Sequence, residues 1–399
     1  MRAFACTIAL AAGLAGVSCA ALAQGFDTCL SGLRQSAVGA GVSAAAFDRH
    51  TRGLQPDMAV VGFLDQQPEF SIPIWDYMSG LVDEERVTDG QARLRQWAQV
   101  LEQVERRYGV PAPVVVAVWG VESDYGRTFG KRPLLQSLAT LSCFGRRQGF
   151  FRGEFVSTLK ILEQEGVNPE RMVGSWAGAF GHTQFMPSTY LRLAVDFDGD
   201  GRRDLVDSIP DALASTANFL KRAGWRSGEL WGYEVRLPSG FDVSTAGRRN
   251  RRALSEWMSR GVRRADGGPL EGPDGGAGLL LPAGAGGPAF LVFRNFDAIY
   301  SYNAAESYAL AIAHLSDRLS GSKGFAVPWP TDDPGLSRAE RRELQTLLLK
   351  KGYDVGDADG IIGNNTRRAL QSEQQRLGLK PDGRAGKKTL EAMRRLGPG

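Results

Sequence analysis

Pro111-Ala112-Pro113-Val114-Val115-Val116-Ala117-Val118-Trp119-Gly120-Val121-Glu122-Ser123-Asp124-Tyr125-Gly126 is the stretch on which the reading of this 399-residue chain turns. Prolines at 111 and 113 suit the opening of a helix, where a missing N–H is no loss. Val114 to Val118 is apolar at every position, so the helix has no polar face and belongs inside a core. It ends on a carboxylate. Desolvation of Glu122 after such a run favours the neutral acid and is expected to raise its pKa, as a general acid near neutral pH requires. A glutamate at a helix end that reaches water or pairs with an arginine is the other reading, and from this residue alone both stand. Asp124, two positions on, is expected to point well round the helix from Glu122.

The surrounding pattern is mainly helical from about 26 to 224. Gln91 to Tyr108 reads as one amphipathic helix with Leu94, Trp97, Leu101 and Val104 on its apolar face, and Phe151 to Glu165 and Asp211 to Ala223 read as further helices. Between 231 and 296 short β-type runs (Tyr233 to Leu237, Leu279 to Leu281, Ala289 to Phe293) alternate with glycine- and proline-rich turns, the texture of a small inserted β subdomain. Helix returns at Ser307 to Leu319, and residues 321–335 read as a linker. Beyond it Asp359-Gly360-Ile361-Ile362-Gly363-Asn364-Asn365-Thr366 recurs as Asp382-Gly383-Arg384-Ala385-Gly386-Lys387-Lys388-Thr389, an internal repeat within a compact helical module, 336–399.

Residues 1–23 differ from the rest. Arg2 is their only charge, the run from Ala3 to Val17 is apolar, and Ala21-Leu22-Ala23 precedes Gln24, as in a secretory leader. The run is too short for a membrane span. Lipid anchoring at Cys19 is the lesser alternative, because Gly16-Val17-Ser18 matches poorly what should precede it. Export leaves Cys29 and Cys143, which in an oxidising compartment most simply form a disulfide, two buried thiols being the alternative. No cysteine has metal-ligand spacing, and His50, His182 and His314 are scattered, which argues against a zinc hydrolase or a Ser-His-Asp enzyme. The net charge of +4 tolerates an anionic polymer and does not announce nucleic acid.

Further blocks follow the Glu122 segment: Pro133-Leu134-Leu135-Gln136-Ser137-Leu138-Ala139-Thr140-Leu141, Arg146-Arg147, Gly174-Ser175-Trp176-Ala177-Gly178-Ala179-Phe180-Gly181, Gln184-Phe185-Met186-Pro187-Ser188-Thr189-Tyr190, and Tyr302-Asn303. Together they resemble the lytic murein transglycosylase B family, over about 26–320, and the repeated tail resembles the common peptidoglycan-binding domain. The resemblance implies a mainly α (α+β) chain: a lysozyme-like catalytic domain, 24–320, with the β insertion, followed by a three-helix peptidoglycan-binding module. It implies that Glu122 is the sole catalytic acid and base. Ser175, Gln184, Tyr302, Asn303 and Tyr308 are implied to contact the glycan and steady the intermediate, Tyr77 and Phe185 to wall the groove, and Arg146 and Arg147 to face the anionic stem peptide or lactyl groups. Sugars suit such residues, with planar amides for hydroxyls and aromatic faces for the apolar sides of the ring. Phe219 departs from the pattern, since relatives can carry tyrosine there.

Asp196-Phe197-Asp198-Gly199-Asp200-Gly201-Arg202-Arg203-Asp204-Leu205-Val206-Asp207 places oxygen ligands and a glycine at EF-hand spacing, with Arg202 giving only its carbonyl. Asp207 would close the loop on that spacing; the family resemblance implies a slightly later acid, here Asp211. A calcium ion there would be structural, and an acidic turn without an ion is the alternative. Catalysis itself calls for no cofactor. The expected reaction is cleavage of the β-1,4 bond between N-acetylmuramic acid and N-acetylglucosamine with a 1,6-anhydro end; a water-using muramidase and a non-catalytic wall-binding scaffold are its rivals. A periplasmic monomer acting on peptidoglycan strands is expected, with cell-wall or secretion-machinery proteins as the protein partners to consider.

Overall fold

The computed structural model describes residues 9–64, 72–165 and 167–396, with side chains from Gln24 to Arg395. The start of the expected leader lies outside the described residues, and the side chains of the rest of it, Cys19 included, do as well. Among the described residues no helix is long and apolar enough to cross a membrane. Helix predominates, and the chain divides into two compact units, Met1–Gln67 with Gly126–Ser215, and Pro68–Tyr125 with Thr216–Gly399.

In the first unit the helices Ala9–Gly39, Ala44–Thr51, Leu134–Cys143 and Gln148–Gln164 supply most of the core. Phe26, Leu33, Phe47, Leu138, Phe151 and Phe155 are almost wholly buried. Ser43 caps the second of these helices by accepting the Ala46 N–H at 3.0 Å. A disulfide joins Cys29 to Cys143, with 5.8 Å between their α-carbons. A two-stranded ribbon pairs Arg132–Pro133 with Val173–Gly174.

In the second unit the expected Gln91–Tyr108 helix is two. Glu84–Gln96 and Ala98–Tyr108 meet at Trp97, whose backbone (φ −108°, ψ 20°) leaves helical geometry. Glycine at 109, with φ 71°, closes the second. The inserted sheet has five antiparallel strands in the order Gly247–Arg252, Ala277–Leu280, Ala289–Val292, Gly232–Arg236, Arg263–Arg264. Val235, Leu279, Leu291, Val262 and Phe293 form its core with Trp257, whose indole N–H donates to the Ala277 carbonyl at 2.9 Å.

The tail folds as three helices, Arg338–Lys350, Asn364–Arg376 and Lys387–Leu396, around Leu344, Leu348, Leu370, Leu390 and Met393. Its sequence repeat is a structural repeat. Gln345 accepts the Gly360 N–H (2.6 Å) and donates to Asp359 (3.1 Å), while Gln374 does the same to Gly383 (2.8 Å) and Asp382 (3.1 Å). Each Asp-Gly turn, with its glycine at positive φ, is thus held by a buried amide from the helix before it.

Residues 321–335 are not a free tether. The Phe325 ring lies 3.8 Å from His314 and 4.9 Å from Phe290, and Glu234 accepts the Ala326 and Val327 N–H groups at 2.7 and 2.8 Å. Asp333 pairs with Arg384 and accepts the Lys388 N–H at 2.8 Å. The glycine and proline content reads as a linker, but one aromatic side chain and one acid are enough to fasten the segment.

Candidate active site

The helix Ala112–Ser123 forms despite a run of β-branched valines because it is buried on all sides, from Val114 to Gly120. It stops abruptly. Asp124 (φ 51°) and Tyr125 (φ 57°) both take left-handed backbone, at a cost of about 1–2 kcal/mol each for residues with a β-carbon. The chain turns so tightly that a β-carbon on Gly120 would lie 2.7 Å from the Tyr125 ring, and the Tyr125 hydroxyl donates to the Arg86 carbonyl at 2.8 Å. Asp124 is therefore not on the helix at all. It leaves Glu122 at the last turn and forms its ion pairs with Arg338 and Arg86.

Glu122 is half-buried, and its Oε1 accepts a short hydrogen bond from the Tyr308 hydroxyl. Tyr308 stands on the helix Glu306–Leu319 and is itself buried. Burial first, and then the neighbouring Glu122 charge, push its phenol well above the usual range, so it remains a donor. Its ring lies nearly parallel to that of Tyr302, 6.3 Å between centroids, and Tyr302 in turn lies 4.5 Å from Phe219. Ring packing is what the phenylalanine at 219 supplies.

Glu122, Tyr77, Asn303 and Tyr308 line one cavity of about 600 Å³. Two carboxylates that sequence reasoning missed line it too. Asp76 is gripped by both ends of the Arg384 guanidinium at 2.6 and 2.7 Å, and Asp382 accepts the Arg384 N–H at 3.0 Å. The module contributes further lining residues, among them Ile361 and Arg367. One signal was available: the second copy of the repeat has Arg384 where the first has Ile361. That its partner is Asp76 could not be read from a separation of 308 residues.

The remaining expected site residues belong to the other unit. Ser175 opens a tight turn, accepting the Ala179 N–H on its hydroxyl at 3.0 Å, and Phe180 bridges to Phe185. Gln184 has left-handed backbone (φ 50°), and its amide donates to the Gly181 carbonyl at 2.9 Å. Phe185, expected as a groove wall, is 2% exposed. Arg146 and Arg147 are exposed, and the Arg147 guanidinium lies 4.5 Å over the Phe150 ring.

In the acidic loop the carboxylate oxygens of Asp196, Asp198 and Asp211 gather within 4.8 Å of one another. Asp211 is fully buried, which raises its carboxyl, while the Asp204, Phe197 and Asp198 N–H groups donate to it. Asp207, the other candidate to close the loop, is paired with Arg171 and does not belong to the group. Asp200 is also outside it and accepts the Arg202 N–H at 2.8 Å. An oxygen-only set of this kind fits a hard cation such as calcium, with Asp211 as the closing acid.

The chain matches the model of the transglycosylase SLT domain over residues 25–317 and that of a putative peptidoglycan-binding domain over 337–393. It is 33% identical over 250 residues to membrane-bound lytic murein transglycosylase B of Escherichia coli (strain K12); the alignment covers 61% of this chain and 66% of that relative, just under two thirds of its length. Among solved structures it is similar to SltB3 from Pseudomonas aeruginosa in complex with NAG-anhNAM-pentapeptide, with a TM-score of 0.73 and 49% identity over 92% of this chain and 99% of that one. It is also similar to the Escherichia coli lytic transglycosylase Slt35 in complex with calcium, with a TM-score of 0.64 and 29% identity over 73% and 92% of the two chains.

Proposed function

The chain belongs to the transglycosylase SLT domain family, and on that premise we propose that it is a lytic transglycosylase of peptidoglycan with Glu122 as its one acid and base. Protonated Glu122 gives its proton to the glycosidic oxygen as the bond from C1 of N-acetylmuramic acid breaks. The Glu122 carboxylate then takes the proton of the same sugar's C6 hydroxyl, whose oxygen closes on C1. No water is consumed, the acid is regenerated, and the strand ends in a 1,6-anhydro ring. Tyr308 orients Glu122 through its hydroxyl. Asn303 and Tyr77 hold sugar in the cavity, and Tyr302 braces Tyr308. Ser175 and Gln184 are assigned to the developing positive centre, and Arg146 and Arg147 to the anionic stem, on family grounds.

One observation carries the choice of internal nucleophile over water. A hydrolase needs a second carboxylate as nucleophile or base. Of the two other carboxylates that line the cavity, Asp76 is held by bidentate pairing to Arg384 and Asp382 accepts the Arg384 N–H and the Gln374 amide, while Asp124 is committed to Arg338. A tethered C6 hydroxyl needs less help, since its effective concentration at C1 far exceeds that of unactivated water. Digestion of purified sacculi followed by mass spectrometry tests this. Products lighter than hydrolysed muropeptides by one water are expected. Reducing-end muramic acid would make the protein a muramidase, and undigested sacculi would make it a scaffold.

The remaining assignments complete the reading. Residues 1–23 are a cleaved leader and the protein is a periplasmic monomer, for which the Cys29–Cys143 disulfide is supporting chemistry. Residues 24–320 form the catalytic domain, 321–335 connect it to the module, and 336–399 bind the wall. A calcium ion held by Asp196, Asp198 and Asp211, with the Arg202 carbonyl, stabilises its loop and takes no part in bond cleavage.

A further inference from the structure

The first helix of the C-terminal module and the turn that ends the helix bearing Glu122 meet at a buried ion pair. The Arg338 guanidinium grips both oxygens of Asp124 at 2.8 and 2.9 Å, and Arg86 stands 3.5 Å from the same carboxylate. The three side chains are 9%, 14% and 8% exposed. The Arg338 backbone N–H is used as well, donating at 3.0 Å to Asp83, the residue that caps the helix Glu84–Gln96. Asp124 is one of the two left-handed residues that end the Glu122 helix, a conformation that residues with a β-carbon leave readily unless something holds them. Arg338 is positioned to do the holding.

We propose that Arg338 is a positioning residue for Glu122, so that the C-terminal module completes the catalytic apparatus instead of serving only as a wall anchor. The inference rests on Glu122 being the acid. Fastening Asp124 fixes the end of the last helical turn, and with it the direction of the Glu122 carboxyl toward the Tyr308 hydroxyl. Losing that fix turns the carboxyl away from the scissile oxygen while the cavity that binds sugar keeps its shape. The signature is a fall in kcat with KM unchanged. A pure anchor predicts the reverse, because an anchor raises local concentration without touching chemistry.

The test is a double-mutant cycle in the full chain, with kcat and KM measured on soluble, uncrosslinked glycan strands and wall binding measured separately. Arg338→Met and Asp124→Asn should each lower kcat on the order of 100-fold, the usual penalty for slight misplacement of a catalytic group, with KM held. The double variant should be no worse than either single one, because the two residues act as a unit. Arg338→Lys should recover part of the loss. Arg342→Ala removes the neighbouring ion pair between module and body, Arg342 to Glu85 at 2.6 Å, leaves Glu85 its 3.7 Å contact with Arg338 and the Arg338 grip on Asp124 in place, and should leave kcat at the wild-type value. If Arg338→Met does not fold, Asp124→Asn decides by itself. A kcat within about threefold of wild type, additive losses, or an equal loss in Arg342→Ala overturns the positioning role. A wild-type protein that leaves glycan uncut overturns the proposed function as well, so the two failures are distinguishable.

Discussion

Replacing Cys29 and Cys143 by serine should cost the protein much of its thermal stability and little of its chemistry. The bridge spans 114 residues and ties the first helix to Leu134–Cys143. In the chain-entropy account, a loop of that length removes enough freedom from the unfolded chain to be worth about 5 kcal/mol near 25 °C. A cooperative unit of this size shifts its melting temperature by about 2–4 °C per kcal/mol, so a fall of about 10–20 °C is expected. Glu122 lies inside the enclosed stretch, but neither cysteine takes part in the proposed proton transfers, so kcat measured well below the melting temperature should hold. The assay is differential scanning calorimetry of the oxidised protein, the reduced protein and the double serine variant, with glycan cleavage at 20 °C as the companion measurement. The reduced protein and the variant should agree, since both remove the same constraint. A melting temperature within about 2 °C of the oxidised protein would refute the reasoning, because the unfolded chain would then gain nothing from release of the loop.

Other outcomes follow from the same structure. Glu122→Gln keeps fold and wall binding but should lower turnover by about a thousandfold or more, since one group makes both proton transfers; retention of a tenth of the activity would point to another acid. Saturating calcium should raise the melting temperature by several degrees, and Asp196→Ala should abolish the gain; curves indifferent to calcium and chelator would leave the loop an acidic turn. Asp317 accepts the Trp231 indole N–H at 3.1 Å, and burial pushes its carboxyl up to about 6 from 3.8. The folded state therefore holds a proton that the unfolded chain releases between about pH 4 and 6, so this group lowers stability as pH rises through that window. Asp317→Asn should stabilise at pH 7 by about 1–3 kcal/mol and by little at pH 4, as read by urea denaturation; a gain independent of pH would assign the effect to packing.

How much of this was legible in the sequence depends on how local the cause was. The Ala112–Ser123 helix, the three central strands of the sheet and the repeated Asp-Gly turns all follow from apolar runs and turn residues, and all three were readable. The outer strands Gly247–Arg252 and Arg263–Arg264 were not, because arginine-rich edges carry no apolar alternation. Trp97 sat on the apolar face of an expected continuous helix, and its aromatic bulk gave no hint that the helix breaks there. The apolar run before Glu122 singled the residue out but left its role open, and both that role and Tyr308, 186 residues away, came from family resemblance. Asp76 and Arg338 illustrate the limit. No local pattern marks either one, and only the fold reveals that both are consumed in pairing across hundreds of residues.

If the module holds the wall and Glu122 cuts it, as proposed, the fastened segment at 321–335 changes the mechanics of attack on a solid. A slack tether would let the cutting site sweep a sphere around its point of attachment and sever any strand within reach. With Phe325 seated between rings, Glu234 clamping two backbone amides and Asp333 tied to Arg384, the grip point and the cutting point move as one piece. On the proposed function, the protein then works like calipers locked at one opening. Where it cuts is set by where it holds, and the distance between the two is a property of the fold, not of diffusion.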